Sequence, residues 1–352
     1  MRFPLSLTRS LSTYLVRQRL AGRRRFPLVL MLEPLFACNL HCTGCGRIRE
    51  YADLMRKRLT PEECLAAARE CGAPVVSICG GEPLIYPYLV EVIRGLLRQR
   101  RHIYLCTNGL LIPRVLPRIP RTSRITWNVH VDGMEQTHDA IVEKPGGFRE
   151  AVAGIRAAKE AGFRVNTNTT IYRQTDMHEI VLLLEYLTEC GVDGFLLSPS
   201  YPYEIFFTEQ VGQRSLAQDA PPAGPSPETL FLTRQEIQAK FASVRDRLRQ
   251  FRLVTSPLYL DFLCGRRELS CAAWASPTRN VAGWKSPCYL ITDGHYATFQ
   301  EWMDKTDWDA LGPGRDPRCE HCMVHCGFET GAVVTAQQSL HDTLALAMWQ
   351  FG

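Results

Sequence analysis

The chain has 352 residues, 45% apolar and 22% charged, an ordinary globular composition that excludes a disordered or fibrous protein. No run of about 18 apolar residues occurs, so no transmembrane helix is predicted. The net charge of +5 belongs to the N-terminus, where residues 1–25 hold Arg2, Arg9, Arg17, Arg19, Arg23, Arg24 and Arg25 and no acid, leaving −2 for the remainder by difference.

Leu7, Leu11, Tyr14, Leu15 and Leu20 recur near helical spacing, so residues 7–21 are predicted as a basic amphipathic helix ending at Gly22. Such a helix lies on an anionic bilayer, or packs on the main domain with its arginines in solvent. It lacks the interleaved aromatics of a nucleic-acid platform, and no nucleic-acid partner is expected. The fourteen cysteines form no short secreted framework and follow no signal peptide. They read as thiols and metal ligands of a reducing compartment, the cytosol, with no disulfide needed.

From residue 27 to about 200 strands alternate with helices. Residues 27–33 are an apolar strand, followed by Cys38, Cys42 and Cys45 spaced C-x3-C-x2-C in a short loop. Three thiolates this close hold three corners of a cluster or an ion and leave a fourth position free for chemistry. Thr60-Pro61 opens a helix to Cys71. Strand 75–79 runs into Gly80-Gly81-Glu82-Pro83 and a helix over 88–100; strand 102–106 ends at Thr107-Asn108-Gly109; strand 125–131 ends at Asp132-Gly133. Helix 148–161, strand 163–171, helix 176–189 and strand 194–198 complete six β/α units. Alternation of this kind implies parallel pairing by right-handed crossovers, and six units suit an open barrel whose reactive face lies at the strand C-termini. On the third to fifth strands Tyr104, Cys106, Asn128, His130, Asn166 and Asn168 share the even face, which is expected to line a polar cavity.

The C-x3-C-x2-C loop after the first strand, with Gly80-Gly81-Glu82-Pro83 after the second, resembles the radical S-adenosylmethionine (SAM) superfamily. Leu32-Glu33-Pro34-Leu35-Phe36-Ala37-Cys38-Asn39-Leu40, Tyr104-Leu105-Cys106-Thr107-Asn108, Val129-His130-Val131-Asp132-Gly133-Met134 and Cys322-Met323-Val324-His325-Cys326-Gly327 are similar to the adenosylhopane synthase family of hopanoid biosynthesis. The likeness covers nearly the whole chain. It implies an α/β fold, a partial (βα)6 TIM-like radical SAM barrel with a C-terminal cysteine-rich extension. It also implies a [4Fe-4S] cluster on Cys38, Cys42 and Cys45 with SAM on the open iron, cleaved reductively to methionine and a 5'-deoxyadenosyl radical. That radical adds to the alkene of diploptene to give adenosylhopane. Gly80 and Gly81 would approach the methionyl amine and Glu82 accept from it, while Asn108, His130, Asp132, Asn166, Asn168 and Ser198 are candidates for the rest of SAM. Addition leaves a carbon radical on the substrate, and Cys106, on the cavity face, is the candidate hydrogen-atom donor; the alternative is a buried structural cysteine.

The expected partners are SAM, a diploptene-like isoprenoid, and a one-electron donor such as flavodoxin or ferredoxin. A hydrocarbon substrate resides in the bilayer, so the N-terminal helix is expected to dock the barrel mouth on the membrane, making the protein cytoplasmic with a peripheral seat on the inner face. Two departures from the resembled family border the pocket, Cys79 where it usually has proline and Gly109 where it tends to have alanine; a third is Gly44, where many superfamily members carry an aromatic residue. The cover that this aromatic would give is expected from Phe36 or Tyr51.

Residues 209–229, rich in proline and alanine, read as a flexible surface loop. Then come an amphipathic helix over 233–251, an apolar segment over 258–263 and a strand with a tight turn over 287–294. Cys319, Cys322 and Cys326, with Cys288 upstream, resemble the extensions of other radical SAM enzymes that carry an auxiliary [4Fe-4S] cluster, although the spacing matches neither extension type fully. Structural zinc and unligated thiols are the alternatives, with Cys271 and His325 as substitute ligands. Cys64, Cys71, Cys190 and Cys264 read as small apolar residues. The domains are therefore expected at 1–26 (basic segment), 27–203 (barrel), 204–231 (loop) and 232–352 (extension). Two other readings stay open: a radical SAM enzyme abstracting hydrogen from another substrate, and a non-enzyme, either a zinc-stabilised binding protein or an electron carrier.

Overall fold

The structure, a computed structural model, describes residues 2–201, 227–336 and 339–351; most of the expected loop at 204–231 lies outside the described residues. Six parallel strands, β1 (Val29–Leu32), β2 (Val75–Ile78), β3 (His102–Thr107), β4 (Ile125–His130), β5 (Arg164–Ile171) and β6 (Gly194–Pro199), lie side by side in chain order. Helices α2 (Pro61–Cys71), α3 (Leu89–Arg98), α4 (Glu135–Val142), α5 (Gly147–Glu160) and α6 (Met177–Glu189) connect them. The parallel α/β core expected from the alternation is present. The helix-facing side of the sheet, with Leu30, Leu32, Val76, Ile78, Ile103, Leu105, Trp127, Val129 and Val165, is fully buried, which is where most of the apolar stabilisation is drawn.

Local signals set the helix ends. Thr60 accepts from the Glu63 N–H while Glu63 reaches back to the Thr60 N–H, Pro61 occupies the first turn, and Gly72 ends α2 in the left-handed conformation. Asp176 caps α6 through the His178 N–H.

The sheet does not stop at β1. β7 (Thr278–Asn280) pairs parallel with β1, and β8 (Gly283–Pro287) and β9 (Thr292–Tyr296) continue antiparallel, giving nine strands among the described residues in the order β6-β5-β4-β3-β2-β1-β7-β8-β9. The single strand expected over 287–294 is instead the end of β8, a four-residue connection at Cys288–Ile291, and the start of β9. Pro287 carries no N–H, which favours the end of a ladder over its middle. Helices α7 (Arg234–Leu248), α8 (Pro257–Leu263), α9 (Phe299–Lys305), α10 (His325–Ala336) and α11 (Leu340–Phe351) complete the chain.

The basic helix is present as α1 (Leu5–Leu20), but it lies at the other end of the barrel from the cysteine loop. It shares a groove with Gly72 and Pro74 before β2, Arg100 and Arg101 before β3, and Arg124 before β4. Its Tyr14 hydroxyl donates to the Pro27 carbonyl at 2.7 Å. Of its expected apolar face only Leu7 is buried, and Leu20 is 83% exposed. A membrane under α1 would face the barrel base, so α1 cannot dock the mouth. Among the described residues no helix is long and apolar enough to cross a membrane.

Candidate active site

Strand register decides which side chains meet. Cys106 is paired with Asn128, Asn128 with Asn166, His130 with Asn168, and Thr170 with Ser198. These neighbours point to the inner side of the curved sheet, and the loops at the strand C-termini close over them. The result is a cavity of about 280 Å³ lined by Cys38, Cys42, Cys45, Cys79, Gly80, Gly81, Glu82, Cys106, Asn108, Asn128, His130, Asn168, Thr170 and Ser198. Ile48, Tyr172, Phe231, Leu290 and Val324 add apolar surface. Of the residues singled out for SAM, the structure brings all but Asp132 and Asn166 to this cavity.

The glycine loop is close-packed against the cysteine loop. The Gly81 N–H donates to the Leu35 carbonyl at 3.0 Å and the Glu82 N–H to Ala37 at 2.9 Å. A Cβ on Gly80, at φ +107°, would lie 2.4 Å from the Leu35 oxygen, and one on Gly81 2.0 Å from that of Ala37. Both glycines are therefore required by the backbone leading into Cys38, whatever ligand follows. Glu82 is buried and accepts from the Leu84 N–H (2.9 Å), the Thr107 hydroxyl (2.8 Å) and the Asn108 N–H (2.9 Å), bracing the exits of β2 and β3. Burial pushes its carboxyl up to about 7, against the pull of those three donors.

Asp132 stands behind the cavity. Its carboxylate lies 2.5 Å from His130 Nε2 and accepts from the Thr170 N–H at 2.7 Å, while its own N–H donates to His138 Nδ1 at 3.1 Å. Burial works against an imidazolium at His130, but the neighbouring carboxylate outweighs it and holds His130 above its ordinary value. Asp132 thus orients a cavity residue and favours its charged form without lining the cavity. Asn166 is buried one layer deeper, beside Gly194.

Cys106 lies 3.2 Å from the Ser77 hydroxyl and accepts a long contact from Asn128 Nδ2 at 3.6 Å. Burial pushes its thiol up, so it remains S–H near neutral pH. Cys79, in the position that departs from the resembled family, also lines the cavity; burial pushes its thiol well up, with Glu33 and Cys106 adding to the shift.

The aromatic ring that lies beside Gly44 and lines the cavity is that of Tyr172, not the expected Phe36 or Tyr51. Those two rings stack on each other at 4.0 Å away from the cavity lining. Gly44 leaves room for Tyr172, whose ring would stand 2.6 Å from a Cβ there. Thr170 and Tyr172 extend the even-numbered face of β5 that already held Asn166 and Asn168, so continuing the parity would have found them. His325 could not be found that way: it reaches the cavity from α10 and shares a 3.0 Å hydrogen bond with Ser198.

Behind the cysteine loop lies a buried charge network. Arg47 meets Glu33 at 2.7 Å and Glu50 at 3.1 Å, and Lys285 of β8 meets Glu50 at 3.0 Å; Arg47 and Lys285 both donate to the Tyr289 carbonyl. Glu33 and Lys285 are fully buried. Beyond Tyr289 lies a second cavity lined by Cys271, Cys288, Cys319, Cys322 and Cys326. Cys271 thus joins the four expected thiols, held by an N–H bond from Ala272 to the Gly327 carbonyl at 2.9 Å.

Both thiol sets fit iron–sulfur clusters by donor chemistry. In the first, burial pushes Cys38 up to about 12 and Cys42 well above its ordinary value, and the neighbouring cysteines add to the shift. Metal binding there must release protons. Among the described residues neither set is drawn tightly enough round one point to hold a single ion. Asn168 Oδ1 is buried in the first site without a hydrogen-bond partner among the described residues, an acceptor left for a ligand.

Residues 32–187 match the family model described as the Radical SAM superfamily, and residues 224–346 match a domain of unknown function, DUF3463. The chain is 28% identical over 202 residues to an AdoMet-dependent heme synthase of Methanosarcina barkeri, covering 56% of this chain and 55% of that protein. It is 31% identical over 162 residues to GTP 3',8-cyclase 2 of Mycobacterium bovis, covering 44% and 45%. The chain thus spans about half the length of these curated relatives. In fold it is similar to Streptococcus suis SuiB bound to precursor peptide SuiA, with TM-score 0.61 and 16% identity over 92% of this chain and 76% of that one.

Proposed function

We propose that this chain, which carries a radical SAM domain over residues 32–187, adds the 5'-deoxyadenosyl group of SAM to the terminal alkene of an apolar hopanoid-type substrate such as diploptene. One observation carries the reading: Cys38, Cys42 and Cys45, the Gly80-Gly81-Glu82 loop and the thiol of Cys106 line one cavity that also has apolar surface. When bound, the [4Fe-4S] cluster with SAM supplies one-electron cleavage of SAM to methionine and a 5'-deoxyadenosyl radical. The chain's own part is to hold and quench. Gly80, Gly81, Glu82, Asn108, His130, Asn168 and Ser198 hold SAM, with Asp132 orienting His130. Asn166 has no place in that set, being buried outside the cavity lining.

Cys106 gives its hydrogen atom to the carbon radical left on the substrate. The resulting thiyl takes one electron and one proton to restore the thiol, so a turnover uses two electrons from a flavodoxin- or ferredoxin-type donor. In this reading residues 27–203 carry the chemistry and 232–352 an auxiliary [4Fe-4S] cluster on four of the five thiols. The reduced thiols suit the cytosol.

A second reading, hydrogen abstraction from another substrate, is favoured by the names of the relatives, a heme synthase and a GTP cyclase. Anaerobic turnover with SAM, dithionite and diploptene separates the two. The first reading expects a product with the mass of diploptene plus the adenosyl group and one hydrogen. Release of 5'-deoxyadenosine with diploptene unchanged would sink it. Cys106→Ala is expected to keep cleaving SAM while the quenched product falls at least about tenfold; full conversion would remove the donor role.

A further inference from the structure

At the barrel base, opposite the active-site cavity, α1 and the turns entering β2, β3 and β4 enclose the groove described above, of about 540 Å³. It is lined by Arg9, Arg17, Arg100, Arg101 and Arg124, with the hydroxyls of Ser6, Ser10 and Thr13 among them, and among the described residues no carboxylate lines it. Ser6, Arg9, Ser10, Thr13 and Arg17 recur at steps of three and four, so one face of α1 presents them together. Five guanidinium groups around one groove repel one another unless an anion lies between them.

The partners of these arginines sharpen the point. Arg101 spends its terminal nitrogens on the carbonyls of Ala68, Gly72 and Ala73, and Arg124 donates to the Arg100 carbonyl. Arg9, Arg17 and Arg100 make no ion pair with the described residues. Three groove atoms are buried without a hydrogen-bond partner among the described residues: Arg101 Nε, Ser6 Oγ and Gln99 Oε1. Two of these offer a hydrogen and one accepts, as a phosphate ester bearing a hydroxyl would require. Arg100 also holds a left-handed backbone at φ +61°, where glycine would be unstrained.

The geometry points to a binding site for a phosphate-bearing anion in this groove, remote from the SAM cavity. Guanidinium forks match phosphate oxygens two at a time, and the hydroxyls of α1 add neutral donors. The phosphate is either that of a soluble ester or pyrophosphate, or the headgroup of an anionic lipid. This site does not depend on the reaction proposed above.

The test uses the full chain with inorganic pyrophosphate as probe, followed by calorimetry and by thermal melting at low and high salt. Pyrophosphate is expected to bind, to raise the melting temperature, and to bind more weakly as salt rises. Arg100→Gly removes one guanidinium and relieves the backbone at that position, so lost binding there cannot be put down to misfolding. It and the pair Arg9→Ala with Arg17→Ala are each expected to weaken binding at least about tenfold. Co-sedimentation with phosphatidylglycerol vesicles, competed by pyrophosphate, identifies a lipid headgroup as the source. Pyrophosphate binding without vesicle binding identifies a soluble one. Absence of both kinds of binding, or binding unchanged in both variants, overturns the proposal.

Discussion

Cys38, Cys42 and Cys45 stand within eight residues on a loop clamped by the backbone of Gly81 and Glu82, whereas the second cavity gathers its thiols from three segments, Cys271, Cys288 and the short run Cys319, Cys322 and Cys326. The first group is a local motif on a prebuilt platform. The second exists only once β7, β8 and α10 have docked. Losing a thiol should therefore cost chemistry in the first group and cohesion in the second. The Glu33–Arg47–Glu50–Lys285 network joins the two regions.

The comparison breaks most visibly at the ligands. Cys42→Ala should reduce SAM cleavage to background with little change in melting temperature, while Cys322→Ala should lower bound iron and melting temperature together. Iron content, 5'-deoxyadenosine release and thermal melts read this, and identical behaviour of the two variants would erase the distinction. Next in size, Arg47→Leu leaves the fully buried Glu33 carboxylate without its 2.7 Å partner. Removing one member of a buried pair costs about 3–5 kcal/mol, measurable by urea unfolding.

Gly81→Ala sharpens the first half of the comparison. Its Cβ would meet the Ala37 oxygen at 2.0 Å, so the cysteine loop must shift. A loss of about 1–3 kcal/mol with weakened SAM binding is expected. The smallest effect concerns pH. Asp132 raises His130 in the folded state, so the pair's stabilisation is fully present below the ordinary histidine range and is lost as pH rises through the raised value. Melting temperature should fall by a few degrees over that rise in the native chain and stay flatter in Asp132→Asn.

The sequence made the six parallel strands legible because each carries a period-two pattern or a continuous apolar run closed by a turn signal. It exposed the cysteine loop because its ligands are adjacent. It also gave the cavity face on β3 to β5, since parity survives folding: Cys106, Asn128, His130 and Asn168 all line the cavity. The same parity misled at Tyr104 and Asn166, neither of which lines the cavity, because depth along a strand carries no periodic mark. The resemblance assigns the glycines to SAM, but the first surface they meet is the Leu35–Ala37 backbone, which becomes visible only when two loops far apart in the chain come together in space.

By itself, then, the sequence determined what is local: a thiolate loop after the first strand, strand ends rich in polar residues, and an arginine-rich N-terminal helix. Tertiary structure alone decided what depends on which segments become neighbours. It put α1 at the barrel base, extended the sheet through β7 beside β1, brought Cys271 to the other four thiols, and seated Tyr172 over Gly44. Hydrophobic burial fixes which face of an element points inward, but it is non-directional and does not name the partner; backbone pairing and close packing do that only when the whole chain is assembled.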